Sequence, residues 1–256
     1  MLAPMLAPWL ALSLAAPPGC GLPPLSEARP FTTGETLVME LGLLGAMRVG
    51  EIQFSVERPL SAGAVIPLAG RARNTARFGS LQRLVAVGLS WVDARTLRPE
   101  RYREESDEDG RRRLTDVRFL PAGPEVALEQ SDQGRPGRST FRREGEALDP
   151  VSAMYLLRAA RLAPGGRFCF DMVGNGRAWR VEGSVAAKPE TFEVPAGRFA
   201  ALRLDASARP ADGRGASRPL HLWLSNDARR LPLAAVSEVE LGPVTAKLVE
   251  VRGGKR

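Results

Sequence analysis

Two dipeptides, Asp109-Gly110 and Asn175-Gly176, restrict the fold of this chain more than any other feature. Each supplies two residues that tolerate positive φ, which a type I′ reversal requires, and that reversal matches the twist of paired strands. A two-residue loop also sets the register. Around Asp109-Gly110 it places Glu108 opposite Arg111, Asp107 opposite Arg112, Arg103 opposite Asp116 and Tyr102 opposite Val117. Three opposite-charge pairs in one register support it, each contributing about 0.2–1 kcal/mol. The charged run Arg101–Arg113 therefore reads as a solvated hairpin and not a binding site. Around Asn175-Gly176, Met172 faces Trp179 and Phe170 faces Val181, with Phe168 on the same apolar face. Asp171 with Arg180 and Cys169 with Glu182 fall on the opposite, more polar face. Cys169 reads there as a structural or idle thiol, since no neighbour in the pattern would lower its pKa.

The same logic extends along the chain. In 51–57, Ile52, Phe54 and Val56 alternate with polar residues, the mark of an antiparallel strand with one wet face. From Phe168 to Val251 further strands are split at Pro195-Ala196-Gly197, Asp212-Gly213, Asn226-Asp227 and Gly242-Pro243. Arg135-Pro136-Gly137-Arg138 reads as an exposed loop tip. One helix is clear: Asp149 is its N-cap and Pro150 its first residue. Val151, Met154, Tyr155 and Leu162 make most of an apolar stripe, and Pro164-Gly165-Gly166 ends it. A shorter helix near Ser80–Val87 competes with a strand. The expected fold is mainly β: a curved antiparallel sheet or open half-barrel with one or two short helices.

Residues 1–19 read as a signal-like segment, because Met1–Ala16 carries no charged side chain and is too short to span a bilayer as a helix. Residues 20–30 form a Pro-rich linker, 31–252 a single β-rich domain and 253–256 a basic tail. Cys20 is a candidate for lipidation, following Gly19; the other reading is cleavage after Ala15, with Cys20 a linker residue. The two cysteines, Cys20 and Cys169, could pair in an oxidising compartment, but one in a linker and one in a strand make an unpromising bridge. The expected location is therefore exported, in the periplasm or associated with the outer membrane, with any membrane contact made through Cys20.

The net charge of +7 suggests nucleic acid first. The arginines are scattered, however, and only 15 aromatic residues (9 Phe, 4 Trp, 2 Tyr) accompany them, so the clustered basic face that nucleic acid needs is missing. The single histidine, His221, shares a strand face with Trp223 and Ser225. Strand neighbours two steps apart are too distant for a nucleophile–base hydrogen bond, and no G-x-S-x-G elbow exposes a serine. No residue is therefore assigned a catalytic role. There is no His pair, Cys cluster or calcium-type loop, so no metal or cofactor is expected. Trp223, His221 and Arg230 are the candidate binding residues, beside Asp227; turn chemistry explains Asn226-Asp227 without a ligand, with Arg230 paired to a carboxylate across the sheet.

Four segments carry a resemblance to a known family: Phe31–Leu37, Asp149–Arg158, Val194–Phe199 and Trp223–Pro232. In order and spacing they resemble the bacterial envelope family called domain of unknown function 3108. Met39, where an aromatic residue is usual, and the Arg-rich middle region depart from its pattern. The resemblance implies an exported, mainly β envelope protein and supplies no catalytic residues. By analogy of fold alone, such sheets look like the open half-barrels of periplasmic lipoprotein carriers, which hold acyl chains in a concave face. Three readings follow. A non-enzymatic module binding a lipid or cell-wall polymer, with the Asp149–Leu162 helix as lid or plug, predicts an apolar pocket of several hundred Å³. A structural, partner-binding protein predicts a filled core and an exposed apolar patch. A hydrolase needs His221 within about 3 Å of a serine or carboxylate inside a cleft.

Overall fold

The computed structural model describes residues 21–44, 47–59, 63–79, 83–120, 125–239 and 242–254. Sixteen strands, numbered β1 to β16 along the chain, make one sheet. They are β1 (Thr36–Leu43), β2 (Met47–Val56), β3 (Val65–Asn74), β4 (Leu84–Asp93), β5 (Pro99–Glu108), β6 (Arg111–Arg118), β7 (Glu125–Asp132) and β8 (Arg135–Arg142). The rest are β9 (Ala147–Leu148), β10 (Arg167–Gly174), β11 (Arg177–Val185), β12 (Glu190–Val194), β13 (Gly197–Pro210), β14 (Arg218–Ser225), β15 (Pro232–Val239) and β16 (Gly242–Arg252). Two helices, α1 (Ala76–Gly79) and α2 (Pro150–Ala159), complete the fold. The strand order β8-β7-β6-β5-β4-β3-β2-β1-β16-β15-β14-β13-β11-β10-β9 describes two meanders joined where the first strand pairs with the last. All pairings are antiparallel except the short β9–β10 contact.

Both hairpin registers expected from the turn dipeptides are observed, pair for pair. Asp109, Gly110, Asn175 and Gly176 all take positive φ. The sheet curls until its two halves meet: Gln130 of β7 donates to the Gly176 carbonyl at 2.9 Å, and the Asn175 amide donates to Glu104 of β5 at 2.7 Å. Among the described residues no further strand pairs with either outer edge, β8 or β9.

Helix α2 fills the space the curl creates. The Asp149 carboxylate accepts from the Val151 and Ser152 amides, and the Ser152 hydroxyl oxygen accepts in return from the Asp149 amide, a reciprocal cap that satisfies the first turn. Two glycines let the helix start lie against the sheet. A β-carbon on Gly174 would come within 2.8 Å of the Pro150 ring, and one on Gly70 within 3.1 Å of Val151. The main core gathers Leu68, Val92, Tyr102, Val117, Leu128, Phe170, Val181, Leu204 and Leu224 around Tyr155, Leu156 and Leu157. A second cluster holds Leu37, Met39, Val194, Ala201, Leu231, Leu233 and Leu248, where the β12–β13 turn reaches β16 through a hydrogen bond from the Ala196 amide to the Leu248 carbonyl.

Four sequence expectations need correction, and one choice left open between helix and strand is decided. α2 has no single apolar stripe; it is buried all round, as an element enclosed by a sheet must be. It ends at Ala159 because Ala160 is extended and bridges Leu25. Residues 21–30 are not a free tether: Leu22 and Leu25 pack on the main core, and the Ser26 and Arg161 amides donate to Ala159 and Pro24. Of the two readings of Ser80–Val87, the strand holds for Leu84–Val87, which belong to β4, while 80–82 lie outside the described residues. Arg135–Arg138 are the start of β8, the tight turn being Gln133-Gly134, both at positive φ.

Candidate functional site

β14 carries the first candidates. Its register with β13 sets His221 beside Asp205 and Trp223 beside Arg203. The His221 Nδ1 lies 2.6 Å from Asp205 Oδ1, whose other oxygen accepts from Arg203 at 3.0 Å. Trp223 stacks on Phe192 with centroids 4.8 Å apart and donates through its indole N–H to Glu190. The imidazole and its carboxylate partner are 39% and 34% exposed, and neither lines a described cavity. Ser225 is occupied elsewhere: its hydroxyl donates to Asp227 and accepts from the Leu231 amide. Asp227 shapes the turn as expected, accepting from the Arg229 and Arg230 amides. The Arg230 guanidinium does not reach across the sheet to a carboxylate; it donates to the Asn226 side chain at 3.4 Å. His221 and Trp223 are thus brought together, and Arg230 stands apart from them.

A constellation that the sequence did not single out lies deeper. Arg158, in the last turn of α2, has a fully buried side chain paired with Glu35 at 2.6 Å. Its remaining donors reach the carbonyls of Arg230 at 3.1 Å, Arg229 at 3.2 Å and Pro30 at 3.4 Å. The guanidinium also sits over the rings of Phe31 and Tyr155, which meet edge to face. A buried cation needs this completeness, since an unpaired one would be several kcal/mol costlier (about 3–5). Three of the four family-like segments, Phe31–Leu37, Asp149–Arg158 and Trp223–Pro232, meet at this one side chain. The fourth, Val194–Phe199, supplies Val194, Ala196 and Phe199 to the second core cluster. These segments hold the fold together, and they also line two open cavities: Phe31, Thr32 and Thr33 one of about 360 Å³, and Arg158, Asn226, Asp227 and Arg230 one of about 340 Å³.

The other end of α2 buries a second ionisable group. Asp149 accepts from Ser90 at 2.6 Å as well as from its own helix. Burial pushes its carboxyl up to about 6, against the pull of those hydrogen bonds.

The largest described cavity is a cleft of about 780 Å³ at one end of the sheet. Leu22, Pro99, Phe119 and Leu120 form an apolar wall, and Glu100, Glu144 and the Arg98–Glu146 ion pair line the rest. Asp93 at its edge is held below the usual carboxylate range by hydrogen bonds from Thr96 and the Arg95 amide. Exposed apolar side chains gather at the opposite end: Leu44 and Met47 flank the β1–β2 turn, and Leu84 and Val85 begin β4.

Cys169 departs most from its sequence reading. It is buried, its sulfur is in a disulfide, and Arg180 donates to that sulfur while pairing with buried Asp171. The face expected to be the more polar one is covered by the 143–147 segment, whose Glu144 and Gly145 amides donate to Asp171. Cys20, the lipidation candidate, lies outside the described residues. Among the described residues no His, Cys, Asp and Glu cluster suits a metal ion, and no helix is long and apolar enough to cross a membrane.

A family model described as "Protein of unknown function (DUF3108)" matches residues 39–249. No curated protein matches the chain. Among solved structures, a β-barrel-like protein of domain of unknown function DUF1849 from Brucella abortus superposes with a TM-score of 0.59 at 10% identity, covering 88% of this chain and 98% of that one. The likeness is one of fold. A candidate lipoprotein from Parabacteroides distasonis (8% identity, TM-score 0.33, 88% and 97% coverage) is more distant. So is a candidate exported protein with a YmcC-like fold from Bacteroides fragilis (9%, 0.32, 91% and 100%).

Proposed function

The chain belongs to the DUF3108 family, and from that premise we propose that it is a non-enzymatic protein of the bacterial cell envelope that holds a protein or polymer partner on its outside. One observation carries this reading: α2, with eight of its ten residues buried and packed against β3, β4 and β10, occupies the concave face where an acyl chain would lie. Enclosing a lipid calls for an apolar cavity of several hundred Å³. The largest described cavity is instead a charged cleft at the mouth, better suited to a polar polymer or peptide. Leu44, Met47, Leu84 and Val85 offer apolar contact at the far rim. Export is supported by the uncharged apolar segment Met1–Ala16 and by the disulfide at Cys169, which oxidising compartments favour.

Native mass spectrometry of gently extracted protein, with photo-crosslinkers at Leu44, Met47, Leu84 and Leu120, tests the proposal. The expected result is a chain without lipid adduct and crosslinks to a recurring partner at the rim or the cleft. A stoichiometric acyl-chain adduct would overturn it in favour of lipid enclosure. A second reading, hydrolysis, rests on the 2.6 Å His221–Asp205 contact. We expect His221→Ala to complement a deletion strain fully; failure at normal protein level would favour the hydrolase.

A further inference from the structure

We propose that the edge of β8 takes an extended, acidic segment of a partner protein as a further strand, with carboxylates set against Arg138 and Arg142. Such a site rests on the reading that the protein holds a partner on its outside, and it gives that partner a chemistry. The starting point is a pattern of charge across the sheet. Strand β5 carries five acids and two arginines, β6 four arginines and one acid, β7 three acids and no base, and β8 three arginines and no acid. The sign alternates from each strand to the next, and ion pairs cross every boundary: Arg112 with Asp107 at 3.6 Å, Arg111 with Asp132, and Arg138 with Glu129 at 2.8 Å. The arginines of β6 have an acidic strand on either side. Those of β8 have one on the β7 side alone among the described residues. Facing strand residues of opposite charge attract and those of like charge repel. The strand that continues this ladder past β8 is therefore an acidic one.

The backbone of β8 is turned to receive it. Gln133 and Gly134 form a two-residue reversal at positive φ, so Asp132 and Arg135 are the hydrogen-bonded pair that closes the hairpin. Antiparallel pairing alternates from there, which aims the N–H and C=O groups of Arg138, Thr140 and Arg142 away from β7. Pro136 has no N–H to offer and ends the usable edge on the turn side. Residues 135–140 are all exposed, whereas Phe141 packs against the main core. Arg138 and Arg142 share the solvent face with their facing residues Glu129 and Glu125. An added strand thus needs two acids four residues apart, and an apolar residue beside Phe141. The same edge refuses a second copy of itself: pairing over this stretch would set Arg138 against Arg142.

The test uses the full chain and a synthetic peptide, acetyl-Glu-Val-Thr-Val-Glu-Val-Thr-amide, with a counterpart carrying Lys at both Glu positions. At low salt the acidic peptide is expected to bind about tenfold tighter than the lysine one. At saturation it should slow hydrogen exchange at the Arg138, Thr140 and Arg142 amides. Thr140→Pro deletes one outward N–H and leaves the β7 ladder whole, so binding should vanish while the thermal midpoint holds. The double variant Arg138→Glu, Arg142→Glu should reverse the preference, the lysine peptide then binding the tighter. Equal binding of the two peptides, protection confined to other strands, or binding kept in Thr140→Pro would overturn the proposal. So would a dimer whose Arg138 and Thr140 amides are protected before any peptide is added. An edge that takes no peptide, with crosslinks still caught at Leu44 or Leu120, would move the partner to the rim or the cleft. A stoichiometric acyl adduct on a chain that still takes the acidic peptide would leave the edge site standing and overturn the wider reading instead.

Discussion

Arg158 shows how one side chain can organise segments that are remote in sequence. Its carboxylate partner lies 123 residues earlier, the Pro30 carbonyl 128 residues earlier, and the Arg229 and Arg230 carbonyls 71 and 72 residues later. From sequence, an arginine in the last turn of a helix reads as a favourable partner for the helix dipole, and nothing local marks it as buried. Removing either member of the pair leaves the other as an uncompensated buried charge. Arg158→Met and Glu35→Gln are each expected to lower unfolding free energy by about 3–5 kcal/mol, measured by urea denaturation. Asp149 gives a prediction in pH. Its carboxyl is raised in the folded protein from an ordinary 3.8 to about 6, so between those values the folded state binds more proton than the unfolded one. Its contribution therefore favours folding below about pH 4 and is lost as pH rises through about 6. Asn at this position can still accept from the helix amides but cannot titrate. Subtracting the Asp149→Asn stability profile from that of the wild type should leave a fall of order 1–3 kcal/mol from pH 4 to pH 7. A flat difference would mean that Asp149 stays ionised throughout.

Among the elements, legibility followed locality. Asp-Gly and Asn-Gly reversals carry their own geometry, so both hairpins and their registers could be read from a dozen residues each. Helix α2 could be placed for the same reason, its Asp149-Pro150 start being local chemistry. Its setting could not. Periodicity identifies an apolar stripe, whereas Arg158 is buried through partners supplied by other elements. The polar face of β10 was likewise misjudged, because what covers it, the 143–147 segment and the docked residues 21–25, is invisible in the alternation of β10 itself. A helix of 10 residues is marginal alone and persists here through its packing. The amides of Leu156, Leu157 and Arg158 are accordingly expected to exchange hydrogen only through global unfolding, with protection equal to that of the most protected β10 amides. Exchange by a separate, lower-energy opening would show that α2 can leave the sheet, and with it that the concave face can be vacated.

For the whole molecule, the curved β architecture was legible from turn spacing, and the choice among functions was not. The sequence allowed α2 to be a lid or a plug; only the packed structure shows it enclosed. The order of the sheet places every strand from β1 to β8 beside its sequence neighbour, and β13 to β16 likewise, so most pairing is local. Apart from β11, which pairs with β13 past the short β12, the exception is the join of Thr36–Leu43 to Val244–Arg252. Ending the chain at residue 241 would strip β1 and β15 of their shared neighbour. We expect such a truncation to be degraded by dilute protease under conditions that leave the full chain intact. The same join sets a timetable. A chain that enters a compartment amino terminus first can zip β2 to β8 as they emerge, but its opening strand must wait some two hundred residues for its mate. Until β16 arrives, Leu37 and Met39 have no Leu248 to pack against, and β1 presents a bare edge to whatever is nearby. Folding is thus completed from the tail, and the interval of greatest exposure to proteases and to other unfinished chains lasts until the final strand is delivered.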